Sequence, residues 1–494
     1  MTQGLSELIN RALDRDPAYP AIEYEGRWYG WGELRRCADQ LRACLATTGA
    51  GKRQPVALLS KNRPWAIAAL LGLIADARTI QMVYAFQSGA AIARNLERLK
   101  PAILVAHRDD IDGDVLDMLR ARGIAAILFD DMMPSACPGL EASAVTDDTG
   151  APPSPEIQIL TSGTTGAPKQ HPFPYRLFAE HHILPGIPDG VLVDRRADAP
   201  ALLSFPLGNI TGIYSTLPTL VRGQRCILID RFSIEAWHDW VKRYRPVNGG
   251  LPPAGVQMVL DRDIPREDLA SIRYVGTGAA PLDPTVQRAF EQRYGIPILL
   301  SYGATEFGGP VASMTPALHA EWGARKLGAV GRAMPGARLR IVHPETGEEL
   351  PLDEEGLLEV VSPRIGPDWI RTSDVALIDG DGFLFLRGRA DGAVMRGGFK
   401  LIPEVIERAL QLHPAIAAAA VVGRKDHRLG EVPVAAIQLK PGADWPGNAA
   451  LDAHVRAHVP ATHVPVDWRQ FDDIPRNRSM KTDRPALRRL FEDA

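Results

Sequence analysis

Residues Leu160 to Lys169 read LTSGTTGAPK and set hydroxyls, two glycines and one cation directly after the apolar pair Ile157 and Ile159. Hydroxyls and backbone N–H groups on a glycine-hinged loop can surround an anion while a lysine supplies charge, so the composition suits a phosphate loop. The spacing is not of the Walker type, because Pro168 precedes Lys169 and Gln170 follows it, and no Gly-x-Gly-x-x-Gly run opens a helix here. A solvated turn between two strands accounts for the decapeptide equally well. A second stretch, SYGATE (Ser301 to Glu306), follows the apolar run PILLS. An aromatic face beside a hydroxyl and a hard carboxylate at a strand end makes a platform for a nucleotide, although in isolation it too reads as a turn.

Elements of alternating type must position these stretches. The apolar runs PVALLS (55–60), AILVAH (102–107) and AAILF (125–129) alternate with helical stretches, among them WAIAALLGLIADA. The rhythm resumes in ALLSFP (201–206), RCILID (225–230), a helix from Ser233 to Tyr244, IRYVG (272–276), a helix from Pro284 to Tyr294, and PILLS. That alternation predicts an α/β fold of mainly parallel sheets covered by helices. Residues 132–156, rich in Pro, Ser, Ala and Asp, read as a loop. From about Leu339 short strands and turns (ETGEE, DGDG) predict a small β-rich subdomain. A compact α+β run then starts near Asp391, giving a large domain over 1–388, a hinge at 389–391 and a small C-terminal domain over 392–494.

With 494 residues, one hydrophobic core is too few. Lys plus Arg number 56 against 59 for Asp plus Glu, net −3, so no global field recruits nucleic acid or anionic lipid and any anion must be held locally. Cys37, Cys44, Cys137 and Cys226 lack CxxC spacing and suit a reducing cytoplasm as buried thiols. The N-terminus carries no signal-peptide pattern. The longest apolar run, Trp65 to Ala75, is shorter than the roughly 20 residues of a spanning helix and predicts a buried one.

TSGTTGAPK resembles the phosphate loop of adenylate-forming enzymes, the superfamily of acyl-CoA synthetases, luciferases and peptide-synthetase adenylation domains, and further motifs follow in the family's order. The resemblance implies that Thr161, Ser162, Gly163, Thr164, Thr165, Gly166 and Lys169 handle the phosphates of ATP. In SYGATE it places Tyr302 and Gly303 at the adenine, Thr305 at the phosphate and Mg²⁺ on Glu306, with Ser301 and Ala304 at the acyl pocket. GTGAAPL (276–282) resembles the stretch lying along the adenine (Gly278, Ala279, Ala280) and lining the acyl pocket (Gly276, Thr277). In RTSDVA, Asp374 would accept from the ribose hydroxyls; in RGRADGAVMRGGFKLIP, Arg389 would reach the ribose, Asp391 would be the pivot, and Gly397, Gly398, Phe399 and Lys400 would line the thiol tunnel. IPRNRSMKTDR aligns with the C-terminal lysine motif and makes Lys481 catalytic.

The implied activity is that of an acid–CoA ligase using ATP, Mg²⁺ and coenzyme A: a carboxylate becomes acyl-AMP with loss of pyrophosphate, and the acyl group then passes to the CoA thiol. Transfer to a carrier protein's phosphopantetheine is the alternative, and a catalytically silent nucleotide- or acyl-binding scaffold is the alternative of another class. Partners are small molecules, with no nucleic acid and no membrane insertion; a homodimer is left open. The sequence departs from the pattern where PLGNITG (206–212) replaces the usual Pro-Leu-Phe-His-x-x-Gly, putting Gly208, Asn209 and Ile210 at the acyl pocket. No carboxylate lies between Ala201 and Val221 to bind a substrate amine, which disfavours an amino acid. Ser373 and Met480 each replace a customary Gly, and the segment before RTSD is short.

Overall fold

The computed structural model describes residues 4–85, 87–145, 154–161, 169–186, 195–196, 198–396, 399–426, 429–459, 461–477 and 480–492. By internal contacts the chain forms two compact units, 1–246 with 304–309, and 247–303 with 310–494.

In the first unit the described residues build a seven-stranded sheet. Its order is Met133–Ala136, Ala125–Asp130, Ile103–His107, Val56–Ser60, Ile80–Tyr84, Glu156–Thr161, Lys169–Pro174. The five inner strands run parallel and the two edges antiparallel. Parallel strands need helical crossovers, so their inner members are buried on both faces and read as continuous apolar runs. The helix Pro64–Ala75, with Pro at its first position, is buried along almost its whole length, as its composition predicts.

One strand of this sheet was not expected from the sequence, and one expected loop is partly strand. The run IQMVY, unremarked in the sequence reading, is the inner strand Ile80–Tyr84, whose Gln81 breaks the apolar pattern yet is buried and donates to the Leu99 carbonyl. Within the expected loop 132–156, Met133–Ala136 pairs antiparallel with Ala125–Asp130; a four-residue strand carrying Pro134 gives little propensity signal and exists because a neighbouring edge accepts it. The other edge, Lys169–Pro174, carries Pro172 and Pro174, tolerable where one side of a strand lacks a ladder partner.

In the second unit Val275–Gly278 runs parallel to Ile298–Ala304, with Gly278 opposite Ser301. The strand starts later than the predicted 272–276 because Arg273 and Tyr274 bond instead to the backbone of Val247 and Gly249. Then come an antiparallel sheet (Arg338–Val342, Gly356–Val361, Ile370–Ile378, Leu384–Arg389) and a C-terminal sheet that includes the long hairpin Ile416–Asp426 and Gly430–Leu439. The helices Pro403–Gln411 and Asn448–Arg456 contribute to one small core there, and Arg484–Glu492 to another.

Candidate active site

In the first unit the phosphate-loop motif interrupts the antiparallel pair Glu156–Thr161 and Lys169–Pro174, with Thr161 directly opposite Lys169. Ser162, Gly163, Thr164, Thr165 and Gly166 lie outside the described residues, as do the side chains of Thr161 and Lys169. Thr305, Glu306 and Phe307 form one turn of 3₁₀ helix, closed by the Gly308 N–H donating to the Thr305 carbonyl at 3.0 Å. Phe307 is buried and anchors the turn, while the Glu306 side chain stays 46% exposed. A hard carboxylate on a pinned turn suits a divalent cation.

Two histidines that the sequence reading passed over flank this turn. His182, on a π-helical stretch, stacks on Tyr214 (centroids 5.3 Å, 7° between planes), and its Nε2 lies 2.9 Å from the Gly308 carbonyl. A Cβ on Gly309, at φ +129°, would stand 3.0 Å from that ring, so the backbone approaches closely where only glycine is comfortable. His171 Nε2 lies 3.8 Å from Glu306 Oε1.

The PLGNITG motif is built by close backbone packing. A Cβ on Gly212 would lie 2.1 Å from the Pro206 carbonyl oxygen, which accounts for the terminal glycine. The Asn209 N–H donates to that same carbonyl at 3.0 Å, and Asn209 occupies the N-cap of the helix Ile210–Val221 without a side-chain cap hydrogen bond. Gly208 and Ile210 are buried. Buried Asn62, also missed, organises the stretch: its amide donates to the Phe205 and Ile229 carbonyls, both at 3.0 Å, and its Oδ1 accepts from the Leu207 N–H at 2.9 Å.

In the second unit, Gly278 meets Ser301 so tightly that a Cβ would lie 2.6 Å from Ser301 Oγ, and Ser301 Oγ donates to the Thr277 carbonyl at 3.3 Å. Asn248 Oδ1 accepts from the Gly276 and Gly250 N–H groups. Ala279 takes a left-handed φ of +65° just before Ala280. Buried Tyr302 donates its hydroxyl to Asp374 Oδ2, and Asp374 pairs across the sheet with Arg389. The fold thus gathers Tyr302, Asp374 and the Arg389 backbone from motifs up to 87 positions apart; the Arg389 side chain is outside the described residues. Along the chain, Tyr302 and Gly303 belong to the second unit and Ala304, Thr305 and Glu306 to the first.

Lys481 stands on its own hairpin. The Asn477 N–H donates to the Lys481 carbonyl at 2.7 Å, the Lys481 N–H returns to Asn477 Oδ1 at 3.0 Å, and Arg476 pairs with Thr482. Met480 has φ +60°, a left-handed conformation that explains the family's usual glycine and costs a side chain on the order of 1 kcal/mol. Arg484, last residue of this motif, is clamped by Glu404 at 2.8 Å and Glu407 at 2.9 Å. Burial pushes the Glu407 carboxyl up against the pull of Arg484, and the two carboxylates hold the Arg484 guanidinium above its ordinary range despite its own burial. Just before the expected hinge residues, Gly388 at φ +149° has no room for a Cβ, which would lie 2.6 Å from Glu404 Oε2. The Asp391, Phe399 and Lys400 side chains, and Gly397 and Gly398 entirely, lie outside the described residues.

Residues 9–367 match the AMP-binding enzyme family and residues 405–481 the AMP-binding enzyme C-terminal domain, so the chain belongs to the AMP-binding enzymes. It is 27% identical to an indoleacetate–CoA ligase of Aromatoleum aromaticum, over 98% of both chains. It is 25% identical to ScoC, a fatty acid–[acyl-carrier-protein] ligase of Streptomyces coeruleorubidus, over 99% of this chain and 96% of that one. The ATP-bound structure of MatB from Rhodopseudomonas palustris superposes with a TM-score of 0.82 over 99% of both chains at 22% identity, a likeness of fold. The protein is an AMP-forming acid–CoA ligase that uses ATP, a small-molecule carboxylic acid and coenzyme A. No helix among the described residues is long and apolar enough to cross a membrane.

Proposed function

We propose that the acid passed to CoA is a carboxylic acid without an α-amino group, and that both steps are carried by the residues above. A carboxylate at neutral pH is already ionised and attacks the α-phosphorus of ATP without a general base; the P–O bond to pyrophosphate breaks and acyl-AMP forms. Repulsion between anions is the obstacle, so cations and donors on the phosphates carry the catalysis, with Lys169, the loop hydroxyls and Lys481 in that role. Glu306 would hold Mg²⁺, whose hard-oxygen preference fits a half-exposed carboxylate and which supplies charge neutralisation when bound, while Thr305 would contact the phosphate. Asp374 and Arg389 would take the ribose and Tyr302 the adenine, supported by their convergence around the Tyr302–Asp374 bond, the observation that carries this reading. In the second step the CoA thiol loses its proton and attacks the acyl carbonyl, and AMP leaves. Rotation at Asp391 would withdraw Lys481 and present Gly397, Gly398, Phe399 and Lys400. The work is placed in the cytoplasm, where ATP and CoA are supplied.

The acid meets the PLGNITG stretch, where glycine and an amide replace a bulky aromatic and a histidine, leaving room for a larger or differently shaped body. The similarity to a carrier-protein ligase keeps phosphopantetheine as a second acceptor. Pyrophosphate exchange over a panel of aliphatic, aromatic and amino acids tests the whole reading: exchange is expected with acids lacking an amine, and CoA, not carrier protein, should discharge the adenylate. Exchange only with amino acids would overturn the proposed substrate class. Lys481→Ala should abolish exchange while thioester formation from supplied acyl-adenylate persists; exchange at the wild-type rate would show that the lysine is misassigned.

A further inference from the structure

The turn that presents Glu306 is fixed twice through its backbone and hydrophobic anchor, by His182 on the Gly308 carbonyl and by burial of Phe307. The remaining freedom lies in the torsions of the Glu306 side chain, which is 46% exposed. A carboxylate that binds a cation from an exposed turn gains affinity when a neighbouring donor holds one of its oxygens, leaving the other for the ion.

His171 is placed for that. It sits two residues into the edge strand Lys169–Pro174, opposite Ile159, on the same face as buried Phe173, while Gln170 and Pro172 are exposed. Its Nε2 is shielded from solvent and has no hydrogen-bond partner among the described residues. A buried polar ring atom without a partner carries a desolvation cost, which a partner arriving during the working cycle would relieve. The carboxylate oxygen Oε1 of Glu306, at 3.8 Å, is beyond hydrogen-bond range in this arrangement and within reach after a modest side-chain rotation.

We infer that His171 is a positioning residue for Glu306: imidazole carrying its proton on Nε2 donates to Oε1 and leaves Oε2 turned toward the divalent cation that accompanies ATP. This rests on the reading of Glu306 as the cation-holding carboxylate. It also gives His171 a reason to stand two residues after Lys169, where the strand begins at the foot of the phosphate-loop motif.

The test reads binding rather than turnover. In the full-length protein, calorimetry measures the affinity for α,β-methylene ATP with and without Mn²⁺, and the ratio reports the metal-linked gain. Three variants are compared with wild type: His171→Leu, which removes the donor; His171→Gln, whose amide reaches to where Nε2 lies; and Glu306→Gln. The expected result is a metal-linked gain reduced about 10-fold or more in His171→Leu and in Glu306→Gln, and kept within about threefold in His171→Gln. If His171→Leu does not fold, His171→Asn, polar but too short to reach Oε1, takes its place with the same expected loss. A wild-type gain in His171→Leu or His171→Asn, with Glu306→Gln impaired, overturns the inference and leaves the Glu306 reading standing. A wild-type gain in Glu306→Gln overturns the Glu306 reading, and the inference with it.

Discussion

Asn62 joins three backbone groups drawn from two distant stretches, and each would lose this partner without it. Hydrogen bonds of that kind are modest in net worth but expensive to break on one side, at about 1 to 3 kcal/mol for each group stranded. Asn62→Ala should therefore lower the unfolding free energy by about 3 kcal/mol in urea titration and raise the KM for the acid more than that for ATP, because two of the three groups belong to residues 205 and 207. Equal KM changes for both substrates would show that the effect is not local. The cysteines tell the opposite story, of residues whose chemistry is suppressed: burial raises all four thiols, Cys37 to about 12, so they act as apolar filler.

At the scale of elements, Arg484 ties the start of the helix Arg484–Glu492 to the helix Pro403–Gln411 through Glu404 and Glu407. Removing one partner of a buried ion cluster costs more than the cluster contributes, because a charge is left unpaired. Glu407 already has its folded pKa raised by burial, so the folded state holds this proton more tightly than the unfolded chain. Its contribution to stability is therefore favourable at low pH and is lost as pH rises from the unfolded value through the raised one. Arg484→Leu removes the cation that opposes the shift and should extend that window upward. We expect about 3 kcal/mol of destabilisation at pH 7.5, falling markedly at pH 5.5, measured as the denaturation midpoint at each pH; a loss independent of pH would mean that packing, not charge, accounts for it. The neighbouring hairpin shows how an element tolerates an unexpected residue. Met480 keeps the left-handed turn because Asn477 bonds Lys481 on both its N–H and its carbonyl.

At the scale of the whole molecule the proposed mechanism runs two reactions in turn. The proposed pivot, Asp391, lies in the 3₁₀ turn Ala390–Gly392. Asp391→Pro fixes a backbone angle that a swing would have to change, so pyrophosphate release from acid and ATP should persist while thioester formation slows by 10-fold or more. Equal loss of both steps would remove the hinge from the mechanism. The division of the chain after Pro246 reflects where internal contacts are dense and is a different property from a functional pivot.

Much of the architecture was legible along the chain. Alternating apolar runs and helical stretches announced parallel sheets, and the helices at 284–294 and 484–491 were readable from their end signals and periodicity. Among what escaped were Ile80–Tyr84, broken by a buried glutamine, and Met133–Ala136, held by a neighbouring edge. The proposed reacting groups were picked out along the chain for another reason. Phosphate chemistry requires hydroxyls, N–H groups, a cation and a carboxylate in compact motifs, and TSGTTGAPK, SYGATE, RTSD and the Lys481 segment each carry part of that set within a few residues. Asn62, His171 and His182 carry no such local signature. Their partners lie 143, 135 and 126 positions away, and a lone asparagine or histidine becomes meaningful when folding brings a carbonyl or carboxylate to it. By itself, then, the amino-acid sequence determined which chemistry the protein performs, because that chemistry is written in short motifs. Tertiary structure alone decided which side chains hold those motifs in place, because hydrogen bonds and ion pairs depend on distance in space.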